Sequence, residues 1–159
     1  MATREEIIAG LELTVAQGKR TTSLFDEGEW ESKRACGWTP KEVYSHLASV
    51  AAVVPNLAQG LMNAPEDRDI ALRVDDVDEM NARSVAAMAS MTPEQVMAAF
   101  EGNYQKLIDF VKSLPDEQLK AKRRFFSQAV AVSDILANVI MLHGVHHVYE
   151  AASRSGAPA

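Results

Sequence analysis

Only one cysteine, Cys36, stands in the chain, so no intrachain disulfide can form, which agrees with a reducing compartment. Long apolar runs are missing too. The longest, Val50 to Val54, is far too short to cross a bilayer. The opening residues, Met1-Ala2-Thr3-Arg4-Glu5-Glu6, are charged where a signal peptide would have its apolar segment. These gaps predict a cytoplasmic protein with no membrane partner. Positive charge is scarce: 16 Lys and Arg against 22 Asp and Glu leave a formal net charge of -6. A surface of that sign repels phosphate backbones, so nucleic acid is not an expected partner. The one basic cluster, Lys120, Lys122, Arg123 and Arg124, follows the acidic Asp116-Glu117 and reads as a solvated loop. No Gly-x-Ser-x-Gly elbow, phosphate loop or Rossmann fingerprint occurs. Persistent strand alternation, internal repeats and low-complexity tracts are absent as well.

What is present is helical periodicity. With 159 residues and a hydrophobic fraction of 47%, the chain can bury one core, and a single domain over 1–159 is expected. A first segment, Thr3 to Phe25, carries Ile7, Ile8, Leu11, Leu13, Val15 and Leu24, and a polar loop or frayed turn over Asp26 to Gly37 follows. Thr39, Pro40 and Glu42 spell a capping box with proline at the first helical position. The helix they open carries Val43, His46, Leu47, Val50, Val53, Val54 and Leu57 as one apolar stripe, with a kink expected at Pro55 and an end near Leu61-Met62. The acidic stretch from Asn63 to about Val77 reads as a crossover loop. A third segment begins near Asp78, passes Met80, Val85 and Met88, and is broken or bent at Thr92-Pro93, where Gln95 completes a second capping box. It continues through Val96, Phe100, Leu107, Ile108 and Val111 to Leu114-Pro115. Asp116 to Ala131 reads as a connection. The last helix spans Ser133 to Arg154, with Ile135, Leu136, Val139, Ile140, Leu142, His143 and His147 on its buried face, and Ser155-Gly156-Ala157-Pro158 stops it. The fold class this predicts is all-α: a four-helix bundle with long crossover connections.

Chemistry concentrates in the histidines. His143 and His147 are one turn apart on one helix face, while His146 lies about 100° from His147 and cannot easily share their site. A pair of imidazoles holds a divalent ion weakly, so a third ligand must come from elsewhere. His46 interrupts an apolar stripe, where an uncharged imidazole needs a partner for each ring nitrogen. It is either a hydrogen-bonded core residue or, with His143 and His147, a metal ligand; the inner-face placement of all three favours the metal. His146 is then a neighbour of the site or a surface residue. Cys36 is either a nucleophile or a structural residue beside Trp38. Asn81 either lines the site or is exposed, and Tyr149 and Glu150 can reach the pocket rim.

These residues carry a family resemblance. Trp38-Thr39-Pro40-Lys41-Glu42-Val43 followed by His46-Leu47, the run Asp78-Glu79-Met80-Asn81-Ala82-Arg83, and His143-Gly144-Val145-His146-His147 followed by Arg154-Ser155-Gly156 together resemble the DinB/YfiT-like superfamily. One departure is clear: family members often follow the last histidine with arginine, glycine and glutamine, and Val148-Tyr149-Glu150 stands here. The resemblance implies a DinB-like metal-dependent bundle, commonly a homodimer. Family members include thiol-dependent transferases and isomerases, mycothiol-dependent maleylpyruvate isomerase among them.

Three neutral imidazoles leave the double charge of a Zn²⁺ or Ni²⁺ ion uncompensated and positions open for a ligand. Such a centre could hold a low-molecular-weight thiol as thiolate for attack on a small electrophile, or make hydroxide for hydrolysis. On the resemblance, thiol transfer or isomerisation ranks first. A metal-dependent hydrolase, a non-catalytic small-molecule-binding or stress-related bundle, and a metal-free dimeric scaffold are the alternatives.

Overall fold

The computed structural model describes residues 1–70 and 74–153. Helix α1 (Arg4–Thr22) opens on a capping box in which Glu6 donates its backbone N–H to the Thr3 hydroxyl and Thr3 donates its own to the Glu6 carboxylate. The same device at Asp26 and Glu29 starts the single turn α2 (Glu27–Trp30), inside the stretch expected to be loop. The anticipated boxes at Thr39–Glu42 and Thr92–Gln95 open α3 (Pro40–Asn63) and α5 (Pro93–Ser113). Helix α3 runs on through Pro55 as one element. Between these two helices, β1 (Asp69–Ile70) and α4 (Val74–Ala87) occupy part of the expected crossover, so the third segment starts earlier than its sequence suggests. The segment is broken, not bent: turns over 88–91 separate α4 from α5. After α6 (Asp116–Lys120) come β2 (Lys122–Phe125) and β3 (Gln128–Ala131). The last helix is built of α7 (Val132–Leu136), a π-helical turn over Ala137–Leu142, and α8 (His143–Ala152). Its expected stop at Ser155–Pro158, and Arg154 with it, lie outside the described residues.

The four long elements form a bundle. Helix α1 packs against α5 and α8, and α3 packs against the same two, so the cross-section runs α1, α5, α3, α8. The first and second long helices, α1 and α3, therefore sit across one diagonal and the third and fourth, α5 and α8, across the other, while α3 and α5 are neighbours. This order requires the long connections over 23–39 and 114–131. Helix α4 leans on the flank of α3. The core fills from all four: Ile7 and Leu11, Tyr44 and Leu47, Phe100 and Leu107, Ile140 and Val148. Along α3 the buried stripe passes through Ala51, Val54, Ala58 and Leu61, whereas Val53 and Leu57, both expected inside, are exposed. Among the described residues no helix is long and apolar enough to cross a membrane.

The all-α expectation holds with one addition. The basic connection is a β-hairpin: β2 and β3 pair antiparallel, and β1 adds to β2 in parallel. Its tip, Phe126 and Ser127, holds φ of 48° and 64°, the left-handed pair of a tight hairpin. Neither residue is the glycine or asparagine that announces such a turn. Arg123 on β2 is not a free surface charge: it donates to the carbonyls of Leu61 and Met62 at the end of α3.

Two local features set the position of α8. The π-helical turn takes in one more residue per turn than an α-helix and so shifts the helix face. The Asn138 side chain donates to the Asp134 carbonyl at 2.7 Å where the normal ladder gives way. Leu142, expected on the buried face, is 54% exposed as a result, and the next residue, His143, turns inward. Gly144 then lets α8 close on its neighbours, because a Cβ there would lie 2.7 Å from the Tyr104 hydroxyl oxygen and 2.9 Å from Thr14 Cγ2. Gly144→Ala should therefore destabilise the fold by about 1–3 kcal/mol despite the better helix propensity of alanine. Urea denaturation measures this, and an unchanged or raised midpoint would contradict the close approach.

Candidate metal centre

The structure brings His46, His143 and His147 together. His46 stands in the second turn of α3, held there by the Thr39 cap and Pro40, and is 2% exposed. His143 and His147, on adjacent turns of α8, face it. The Nε2 atoms of His46 and His143 are 3.1 Å apart, and those of His143 and His147 are also 3.1 Å apart. One ligand atom from each of the three rings falls within a common 4.8 Å. Trp38, the residue before the cap, walls the cluster: its ring meets His46 edge-on at 5.1 Å and lies nearly parallel to His147 at 6.2 Å.

Electrostatics keep these rings uncharged. Burial pushes His46 down to about 4, with repulsion from His147 adding to it. Burial likewise pushes His143 down to about 3, helped by His147, His46 and His146. His147 is lowered by burial too, but the Glu150 carboxylate, 2.6 Å from its Nδ1, works against that shift. The Nδ1 atoms of His46 and His143 are buried without a hydrogen-bond partner. Neutral imidazoles with converging lone pairs are the donor set of a borderline divalent ion. Ligands about 2.0–2.1 Å from one Zn²⁺ stand roughly 2.9–3.4 Å apart for angles between a right angle and the tetrahedral one. Both 3.1 Å separations fall inside that range, so the residues present fit such an ion.

The other candidates are placed differently. The His146 side chain is 64% exposed, outside the cluster, with Nε2 3.3 Å from Glu150 Oε1. Cys36 is a free, exposed thiol. Asn81 is half-buried and shares a groove between α3 and α4 with Trp38, Glu42 and Asp78. Tyr149, suggested for the pocket rim, is instead 70% exposed and lines a groove with Leu13 and Val145; two positions beyond His147 on a helix is the opposite face. Glu150, three positions on, does reach the site. The contact of Trp38 with both His46 and His147 had no counterpart in the sequence reading, since helix-to-helix proximity leaves no local periodicity.

A mainly helical four-helix bundle of this kind is the architecture of the DinB-like class. Within that class, the chain belongs to the family described as the mycothiol maleylpyruvate isomerase N-terminal domain, whose profile matches residues 11–148. Among solved structures it is similar to YfiT from Bacillus subtilis, described as a probable metal-dependent hydrolase with an unusual four-helix bundle topology. That match has a TM-score of 0.68 at 18% identity and covers 92% of this chain and 82% of YfiT. It is similar to a mycothiol-dependent maleylpyruvate isomerase with a TM-score of 0.71 at 17% identity, over 96% of this chain but only 62% of that one. An uncharacterized protein from Clostridium difficile 630 matches with a TM-score of 0.70 at 9% identity, covering 95% and 94%. At these identities the likeness is one of fold. A search of curated protein sequences gives no match.

The burial of neutral histidines predicts a pH dependence for the metal-free protein. Folded values below the ordinary 6.5 mean that the unfolded chain binds more protons once the pH drops under about 6.5. Stability should be complete above that pH and decline as pH falls toward about 4. Urea midpoints measured from pH 7 to 5 should show the decline, and His143→Gln should flatten it. A midpoint level across this range would mean that the rings are not held neutral by burial.

Proposed function

We propose that the chain is a metal-dependent enzyme in which His46, His143 and His147 hold one divalent ion, Zn²⁺ or Ni²⁺, through their Nε2 atoms. The observation that carries this is the convergence of one ring nitrogen from each of three histidines on two facing helices. The reaction we favour is transfer or isomerisation on a small electrophile by a low-molecular-weight thiol, supported by membership of a family described by a mycothiol-dependent isomerase. When bound, the ion would supply Lewis acidity, lowering the pKa of a coordinated thiol so that the thiolate is available near neutral pH. The protein's own groups do the rest. Burial keeps the three imidazoles unprotonated and so able to donate. Trp38 covers one side of the cluster and limits water there. His143 and His147 are only partly buried, which leaves an approach for a ligand. Hydrolysis is the second reading, supported by the fold likeness to YfiT.

Elemental analysis of protein purified without a histidine tag should find about one divalent ion per chain. His147→Ala should remove most of it, because two neutral ligands seldom hold such an ion against water. His146→Ala should leave it nearly intact. Equal losses in both variants would refute the assignment of ligands within this run, and losses in neither would make the histidines core residues. Turnover of an electrophile that needs both metal and thiol separates the transferase from the hydrolase and the binder.

The remaining expectations enter as part of the same proposal: one domain, a cytoplasmic location, no nucleic-acid partner, and a homodimer. The dimer is supported by an apolar stripe on the outer face of the last helix. Leu142, Val145 and Tyr149 repeat at three and four residues and are all exposed, with Leu13 of α1 alongside. Light scattering at micromolar concentration should report twice the 17.4 kDa of one chain, and Val145→Asp should halve the mass. A monomer in the unsubstituted protein would reject the dimer.

A further inference from the structure

We propose that Glu150 is a positioning residue of this centre, fixing His147 as the Nδ1–H tautomer so that its Nε2 lone pair faces His46 and His143. The inference rests on the metal reading above for its purpose but not for its geometry. Glu150 Oε2 lies 2.6 Å from His147 Nδ1. An ionised carboxylate can only accept, so the proton between them belongs to the ring nitrogen, and the neutral ring then carries its lone pair on Nε2. That nitrogen is the one 3.1 Å from His143 Nε2. The two side chains are 18% and 22% exposed, so water competes little for the bond.

The Glu150 carboxylate has a second neighbour. Its second oxygen lies 3.3 Å from Nε2 of the exposed His146, which puts the carboxylate between two rings. The contrast within the triad sharpens the assignment. The outer nitrogens of His46 and His143 are buried without a hydrogen-bond partner, so among the described residues His147 is the one member whose outer nitrogen is bonded. A carboxylate on the far side of a ligating imidazole both orients the ring and raises its basicity, and losing it typically lowers metal affinity by 10- to 100-fold. The spacing that delivers this is local: positions 147 and 150 share one face of α8.

The test uses the whole chain and reads two quantities. Long-range ¹⁵N–¹H correlation spectra of the metal-free protein should show His147 as the Nδ1–H tautomer. Glu150→Gln should keep that tautomer, because the amide oxygen still accepts, while Glu150→Ala should admit the Nε2–H form. Competition titration with Zn²⁺ should show affinity weakened by roughly 10- to 100-fold in Glu150→Ala and by less in Glu150→Gln. An unchanged tautomer together with a Zn²⁺ affinity within about twofold of the parent in Glu150→Ala would overturn the proposal. Should Zn²⁺ bind neither the parent nor the variants, the metal reading fails, and the tautomer of His147 in Glu150→Ala alone decides whether Glu150 sets it.

Discussion

Three uncharged imidazoles whose nitrogens meet at 3.1 Å are the constraint around which the bundle is arranged. Lone pairs aimed at one another from that distance repel unless something positive lies between them, whether a proton or a metal cation. The opposition cannot be relaxed by swinging the rings into water, because His46 sits among fully buried residues of α3. The backbone has to tolerate it. Gly144 admits α8 to contact with Thr14 and Tyr104, and the shift of phase at Ala137–Leu142 turns the histidine face inward. Both features sit within a few residues of His143, as expected where local regularity yields to the demands of a site.

The last helix thus serves two purposes on two faces. Its inner face carries His143 and His147, and its outer face carries Leu142, Val145 and Tyr149. Between them lies Glu150, which faces His147 on one side and His146 on the other. The departure at Val148-Tyr149-Glu150 from the arginine, glycine and glutamine common after the last histidine in this class therefore falls on residues that touch both faces. Val148 stays in the core, Tyr149 joins the outer stripe and Glu150 serves the histidines.

Much of this was legible in the residues because it is local. Thr39-Pro40 with Glu42, and Thr92-Pro93 with Gln95, mark helix starts by chemistry confined to four positions, and both helices begin there. The spacing of His143 and His147 is likewise a property of one helical turn. What escaped depends on partners distant in sequence or on backbone without a residue signature. The β-hairpin turns on Phe126 and Ser127, neither of which advertises a left-handed conformation, and its strands are only four residues each. The π-helical turn has no residue signature, and a regular helical period places Leu142 on the buried face although it is exposed. Val53 and Leu57 are apolar and so mimic core positions, while the packed face of α3 runs through Ala51 and Ala58, whose small side chains give a weak signal.

The diagonal order of the helices has a consequence for how the molecule comes together. His46 and His143 are 97 residues apart in the chain yet in contact. Closing a loop of that length costs the unfolded ensemble several kcal/mol of entropy, and the cost grows only slowly with length. A divalent ion shared by α3 and α8 would behave as a removable staple across 97 of the 159 residues. It would favour only the closed bundle, so added stability would follow the free ion concentration logarithmically. Because α8 follows α1, α3 and α5 in the chain, that staple could engage only after those helices had been made.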